Sequence, residues 1–123
     1  MFYAIIDVET TGGSTKQSKI TELAVFKHDG EKVIDTFITL INPEIPIPEF
    51  ISRLTGINDA MVEHSPKFFE IAKQFIEFTE DCVFVAHNVA FDYGMIRSEF
   101  KTLGFDYRRQ HLCTVRASRY VLP

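Results

Sequence analysis

The chain has 123 residues, 46% hydrophobic and 24% charged, which suits one small globular domain with its own core. Its formal charge of −4 gives no overall basic character, so a polyanionic substrate would have to be attracted by metal ions and a local patch. There is no basic leader and no apolar run of membrane-spanning length, so we expect a cytoplasmic protein. Cys82 and Cys113 lack CxxC spacing, which predicts reduced thiols.

The first third of the chain predicts a meander of three antiparallel strands. Strand one is an apolar run that ends at a Thr/Gly/Ser-rich breaker, and a polar loop leads from it to strand two. Asp29-Gly30 predicts a two-residue hairpin between strands two and three, and Asn42-Pro43 ends the third strand. The predicted strands cover residues 2–9, 20–28 and 31–41.

The middle of the chain predicts helices followed by a buried strand. A short helix over 49–54 is interrupted at Gly56, and Asn58 is placed to cap a further short turn. Ser65-Pro66 predicts the start of an amphipathic helix over 66–78, with apolar side chains at i, i+3, i+4 and i+7. The apolar run 82–86 predicts a buried strand parallel to strand one.

The last quarter predicts a helix over 89–103 ended by Gly104, a short strand within 110–114 and a further helix from about Val115. Three antiparallel strands, a buried parallel strand and flanking helices predict an α/β fold with a mixed sheet. No linker or repeat divides the chain, so 1–123 is expected to belong to a single domain.

Two carboxylates in strand one are the first feature that points to chemistry. Asp7 and Glu9 share a face because side chains alternate along a strand, and their Cα atoms are roughly 6.6 Å apart. Two anions at this distance repel by about 2.5 kcal/mol at an effective dielectric of ~20. A cation between them would convert this repulsion into binding, although a solvated pair on an edge strand is the alternative.

The segment His87-Asn88-Val89-Ala90-Phe91-Asp92 is the second feature. Asp92 lies three residues after Val89 and four before Ile96, so it falls on the core-facing stripe of its helix and needs a partner. The alternatives are a helix-start acid favoured by the macrodipole for Asp92, a hydrogen-bonded buried histidine for His87 and a simple core residue for Phe91.

Together these features place three carboxylates at strand ends on one side of a sheet. Hard oxygen donors with open positions suit Mg²⁺ or Mn²⁺ better than zinc. Two such ions about 3.5–4 Å apart can clamp the attacking and leaving oxygens of a phosphoryl displacement. The sequence contains no activated Ser or Cys nucleophile, P-loop, dinucleotide-binding glycine pattern or zinc signature.

An ordered set of short motifs spans nearly the whole chain and resembles the DEDD exonucleases, of the type seen in the proofreading epsilon subunit of bacterial DNA polymerase III. The resemblance implies an RNase H-like fold and 3′–5′ hydrolysis of nucleic acid with two metal ions, releasing nucleoside monophosphates. The motifs are Asp7-x-Glu9-Thr10-Thr11-Gly12, Ile20-Thr21-Glu22-Leu23-Ala24-Val25, Leu54-Thr55-Gly56-Ile57, His87-Asn88-x-x-Phe91-Asp92 and Cys113-Thr114.

The resemblance also assigns expected roles to residues of this chain. The expected catalytic metal ligands are Asp7, Glu9 and Asp92. The residues expected to contact the terminal nucleotides are Thr10, Thr11, Leu54, Gly56, Ile57, His87, Asn88 and Phe91. Stacking of a base or sugar on Phe91 would tolerate any nucleotide, and Glu22 is expected to serve the scaffold.

One family motif has no counterpart here: a general-base His five residues (or Tyr four) before a fourth acidic ligand. His111 has no acid at that distance, and His87 with Asp92 belongs to the preceding motif. We therefore expect the domain to continue beyond Pro123 and this piece to bind metal weakly and hydrolyse poorly. The leading hypothesis is a DNA exonuclease that acts on a single-stranded 3′ end, alone or with a polymerase or larger repair protein. The alternatives are an exoribonuclease of the same fold and a non-catalytic nucleic-acid-binding or protein-binding module.

Overall fold

The structure is a computed structural model that describes residues 1–114, so the helix predicted from Val115 lies outside the described residues. It contains one five-stranded mixed sheet in the order β3-β2-β1-β4-β5. β1 pairs antiparallel with β2 and parallel with β4, β2 pairs antiparallel with β3, and β4 pairs parallel with β5. The strands are β1 (Phe2–Thr10), β2 (Ile20–His28), β3 (Val33–Leu40), β4 (Cys82–Ala86) and β5 (His111–Cys113). The predicted mixed α/β architecture is confirmed.

Four helices occupy the connections on either side of β4. Gly56 closes α1 in the left-handed conformation with φ 78°, which a residue without a Cβ adopts readily. As predicted, the Asn58 side chain caps α2 by accepting a 3.0 Å hydrogen bond from the Met61 N–H. None of the described helices combines the length and apolarity needed to span a bilayer. The helices are α1 (Glu49–Thr55), α2 (Asp59–Val62), α3 (Phe68–Phe78) and α4 (Val89–Thr102).

The predicted length of the β2–β3 loop and the predicted start of the following long helix, α3, were both wrong. The β2–β3 hairpin has a four-residue loop, because the Asp29 carboxylate accepts hydrogen bonds from the N–H groups of Glu31 and Lys32 and delays β3 until Val33. Helix α3 starts at Phe68, two residues later than predicted. Lys67 is its N-cap, and the Glu70 side chain accepts the Lys67 N–H at 3.0 Å.

The main core lies between the sheet and the helices α3 and α4. Phe100 stands at its centre, with its ring stacked on Tyr107 at a centroid distance of 4.9 Å and in edge contact with Phe68 at 5.1 Å. Alternate β1 residues complete this core from the sheet side: Ala4, Ile6 and Val8. A smaller core under α1 and α2 contains Ile47, Ile51, Ile57 and Val62.

Thr21 presents one buried polar atom that is not satisfied. Its side chain is 1% exposed, and its Oγ1 has no hydrogen-bond partner among the described residues. Thr21→Val keeps the shape and removes the orphaned hydroxyl, so we expect the free energy of unfolding to rise by about 1 kcal/mol in urea denaturation.

Thr79→Val is the matched control for this prediction. Thr79 is also 1% exposed, but its hydroxyl donates to the Phe75 carbonyl at 3.0 Å and lies 2.8 Å from the Tyr107 hydroxyl. This variant should lose about 1–3 kcal/mol, because the Tyr107 hydroxyl is then left unpaired in the core. A loss of stability in Thr21→Val comparable to that in Thr79→Val would contradict the assignment.

Candidate active site

The end of β1 carries two of the three predicted acidic residues. Asp7 and Glu9 lie on one face of the strand, and Val8 is buried on the other. Asp7 is exposed, although apolar residues flank it in the sequence. Those neighbours are divided by strand alternation, and Ile5, which shares the face of Asp7, is itself 37% exposed. The parallel pairing of β1 with β4 stops at Ile5, so the acidic end of β1 extends beyond it.

Asp92 enters this region from the first turn of α4, immediately after β4. Its side chain is 7% exposed, which confirms the predicted inward direction. The backbone N–H of Val8 lies near enough to the Asp92 carboxylate to favour its charged form. Because Val8 lies between Asp7 and Glu9, this places the third carboxylate beside the acidic stretch of β1.

The three carboxylates influence one another electrostatically. Burial is the largest cause that raises the pKa of Asp92, to about 6, followed by the charge of Asp7, with Glu9 adding less and the Val8 N–H opposing the shift. The pKa of Glu9 is also raised, by burial first and then by Asp7 and Glu22. This repulsion is what a bound cation would reverse.

The donor set fits a divalent cation, although the side chains do not form a finished cage. Among residues 1–114, no three His, Cys, Asp or Glu side chains are arranged as a ready-made metal cluster. The groups that converge near Val8 offer only hard carboxylate oxygens, the donor type that Mg²⁺ and Mn²⁺ bind. Asp7, Glu9 and Asp92 would hold such an ion after side-chain adjustment.

The β4–α4 junction positions three residues predicted to contact a substrate. His87 is exposed, and its Nδ1 lies 3.2 Å from the Thr114 hydroxyl. Asn88 is the N-cap of α4 and is exposed, and its carbonyl accepts the N–H groups of Phe91 and Asp92 at 3.1 Å. Phe91 is half-buried and packs on the main core. His87 and Asn88 are therefore accessible beside Asp92.

Thr10 and Thr11 are engaged in the loop that follows β1. The Thr10 hydroxyl donates to the Gly12 carbonyl at 2.6 Å, and the Thr11 hydroxyl accepts the Lys19 N–H at 3.0 Å. The Thr11 N–H donates to the Lys19 carbonyl at 2.9 Å. These bonds hold the loop in shape, and contact of its backbone with a nucleotide stays a prediction.

Of the residues at the end of α1 that were predicted to contact a nucleotide, some lie on the surface and one lies in the core. The Leu54 side chain is 80% exposed, so it is available to a ligand. Gly56 forms the exposed turn that ends α1, whereas Ile57 is 4% exposed in the smaller core. The prediction for Ile57 can therefore concern only its backbone.

Two acidic residues near the site were not given their role by sequence reasoning. Glu22, which was expected to serve the scaffold, lies directly opposite Glu9 in the strand register, and its charge contributes to the raised pKa of Glu9. Glu99 is 3% exposed, forms an ion pair with Lys19 and accepts the Ile20 N–H at 3.0 Å. Its position seven residues after Asp92, on the same helix face, is the signal that could have revealed an inward carboxylate.

Comparison with solved structures places this architecture in the RNase H-like class. The fold matches exonuclease I with a TM-score of 0.86 at 16% identity, covering 97% of this chain and 29% of that one. It matches exonuclease X in complex with 5′-overhanging duplex DNA with a TM-score of 0.78 at 25% identity, covering 98% of this chain and 64% of that one. The predicted RNase H-like fold is confirmed.

The chain belongs to the exonuclease family RNase_T, whose model matches residues 4–123. It is 40% identical over 119 residues to the PolC-type DNA polymerase III of Caldanaerobacter subterraneus, covering 97% of this chain and 8% of the relative. It is 38% identical over 106 residues to the 3′-5′ exonuclease DinG of Staphylococcus saprophyticus, covering 86% of this chain and 12% of the relative. The chain therefore spans only a small part of the length of these relatives, and the predicted resemblance to the DEDD exonucleases is confirmed.

Proposed function

We propose that this chain hydrolyses the phosphodiester bond at the 3′ end of DNA by a two-metal mechanism, with release of nucleoside monophosphates. The observation that carries the proposal is the buried Asp92 carboxylate, which lies near the N–H of Val8, the residue between Asp7 and Glu9. The charge of Asp7 raises the pKa of both Glu9 and Asp92, so carboxylates gathered at this end of the sheet are unfavourable without a cation.

The residues of the chain would divide the work between metal binding and placement of the strand end. Asp7, Glu9 and Asp92 would hold the cations. Divalent cations bound in such a site lower the pKa of the attacking water and neutralise charge on the leaving oxygen. The exposed side chains of His87 and Leu54 would bracket the terminal nucleotide, and the half-buried ring of Phe91 offers a face for stacking.

The names of relatives support DNA as the substrate and a polymerase or repair protein as the setting. One relative is a DNA polymerase III, another is a 3′-5′ exonuclease, and exonuclease X was solved with duplex DNA. This chain covers only 8% of the length of the DNA polymerase III and 12% of the length of the exonuclease DinG. We therefore propose that the activity works within or beside a larger DNA-processing protein.

The test is release of labelled mononucleotides from 3′-labelled single-stranded DNA and RNA of the same sequence, with Mg²⁺ or Mn²⁺ or with EDTA. Protein is used in excess over oligonucleotide, so that slow hydrolysis is also detected. Mononucleotides should appear from the DNA with either cation and be absent with EDTA.

The blank for this assay is Asp7→Asn purified in parallel, which measures contaminating nuclease. Faster release from RNA than from DNA would make the chain an exoribonuclease. No release, together with a melting temperature that Mn²⁺ leaves unchanged, would contradict the metal site and favour a non-catalytic binding module.

A further inference from the structure

A groove of about 720 Å³ runs along the outer face of α4. It begins at Ala90, two residues before Asp92, and reaches Lys101, a distance of roughly 16 Å at about 1.5 Å per helical residue. One wall is the β1–β2 loop with Thr15 and Lys16, and the other is the segment after α4 that contains Phe105. We call this feature the α4 groove.

The loop wall stands close to the helix because of Gly94. A Cβ at this position would lie 3.2 Å from the Thr15 Cγ2, tighter than ordinary packing allows without movement of the loop. A glycine inside a helix is less favourable than alanine. The close approach it permits places the loop, and Lys16 with it, against α4.

Charge in the α4 groove is opposite in sign to that of the chain as a whole. Four cationic side chains and one acidic side chain line it, a difference of +3 in a chain whose formal charge is −4. Within residues 1–114, no ion pair is formed by Lys16 or Lys101. These two are therefore available to an external anion. The charged lining residues are Lys16, Arg97, Lys101, Arg108 and Asp106.

Two of the cations are held in place before any ligand arrives. Arg97 Nη2 lies 2.8 Å from Asp106 Oδ1 and Arg108 Nε lies 2.7 Å from Asp106 Oδ2, so one carboxylate orients both guanidinium groups. Arg97 Nε also donates to the Tyr107 carbonyl at 3.0 Å. Side chains already ordered in this way lose less entropy when an anion binds.

Aromatic rings accompany these charges. Phe105 lines the groove and is 45% exposed, although a phenylalanine side chain is usually buried in the core. Tyr93 lines it as well and is half-buried, with its ring stacked on His111 at a centroid distance of 4.5 Å. A cationic groove with an exposed aromatic ring is the arrangement that binds single-stranded nucleic acid through phosphates and stacked bases, without preference for sequence.

We propose that the α4 groove binds the backbone of single-stranded nucleic acid on the 5′ side of the terminal nucleotides. The inference rests on the proposed function, since a strand whose 3′ end lies at Asp92 must leave the site along some surface. Measured along the axis of α4, the groove starts within one helical turn of Asp92. At about 3.4 Å per stacked nucleotide, its length suits roughly four to five nucleotides.

The test compares wild type with Lys16→Gln/Lys101→Gln in binding of fluorescent tetrathymidylate and dodecathymidylate, with Ca²⁺ as the divalent ion. We expect the variant to bind the dodecamer more weakly, on the order of tenfold at low salt. The slope of log K against log salt should fall by about 1.4, since each phosphate contact on a single strand contributes ~0.7. The ratio of the affinity for the dodecamer to the affinity for the tetramer should be smaller in the variant than in wild type.

Lys32→Gln/Lys73→Gln is the matched control, because it removes the same charge from the β2–β3 loop and from α3, which do not line the groove. An equal loss in both variants would overturn the proposal in favour of a general charge effect. Poly-glutamate binding with the same dependence on Lys16 and Lys101 would overturn it in favour of an acidic protein partner. If wild type hydrolyses DNA while the groove variant binds the dodecamer normally, only the groove proposal is wrong. If wild type neither binds nor hydrolyses, the proposed function also fails.

Discussion

Replacing Asp92 with asparagine is expected to abolish hydrolysis and, without divalent cations, to raise the free energy of unfolding. Burial and the charge of Asp7 raise the pKa of Asp92 from its ordinary 3.8 to about 6. At neutral pH the folded state therefore holds an unfavourable charge, worth up to about 3 kcal/mol at 1.36 kcal/mol per pKa unit. Asparagine is neutral and of similar size, so it can occupy the same space near the Val8 N–H. We expect a gain of about 1–3 kcal/mol in urea denaturation with EDTA.

The raised pKa of Asp92 also determines how the free energy of unfolding depends on pH. The pKa of Asp92 is higher in the folded state than in the unfolded chain, so folding binds a proton between about pH 4 and pH 6. Below pH 4 the contribution of Asp92 to the free energy of unfolding is fully present. It is lost as the pH rises through 6, and at higher pH it does not change further. Subtracting the Asp92→Asn curve from the wild-type curve over this range should isolate that decline.

Asp7→Asn is the matched control, because it removes an equivalent carboxylate from an exposed position. We expect it to abolish hydrolysis as completely as Asp92→Asn but to raise the free energy of unfolding by less than Asp92→Asn does, because it removes the repulsion from Asp7 and leaves the burial of the Asp92 charge. Mn²⁺ should raise the melting temperature of wild type more than that of either variant. An Asp92→Asn protein that is less stable than wild type in EDTA, or that hydrolyses DNA at the wild-type rate, would contradict this account.

Replacing Glu99 with alanine is expected to give the largest loss of stability. The Glu99 carboxylate is 3% exposed, pairs with Lys19 and accepts the Ile20 N–H at 3.0 Å. Alanine would leave that buried N–H without a partner, leave the Lys19 ammonium without its ion pair and open a cavity under the β1–β2 loop. Together these effects should reduce the free energy of unfolding by about 2–4 kcal/mol, measured by urea denaturation.

Two variants separate the causes of this loss. Glu99→Gln can still accept the Ile20 N–H and fill the space, so it should lose only about 1 kcal/mol. Glu49→Ala removes the acid of an exposed ion pair with Arg53, whose side chains are 80% and 76% exposed, and should be close to neutral. If Glu99→Ala were no less stable than Glu49→Ala, Glu99 would not anchor the loop.

Strand β1 and the inward direction of Asp92 could be predicted from the sequence because both depend on local periodicity. Alternation along the strand places Asp7 and Glu9 on one face, and the 3.6-residue period of α4 directs Asp92 towards the core. The same local rules failed where two local structures compete closely. The Asp29 carboxylate lengthened the hairpin loop and the Lys67 cap shortened α3, although Asp-Gly and Ser-Pro pairs favoured the alternatives.

The amino-acid sequence by itself determined which strands and helices form and which of their faces carry carboxylates. Only the tertiary structure decided that Glu22 faces Glu9, that Glu99 holds a loop eighty residues away and that cations from three segments line one groove. Each of these depends on strand register or on packing between elements distant in sequence. Such contacts follow from burial of the whole core, and no periodicity within one segment encodes them.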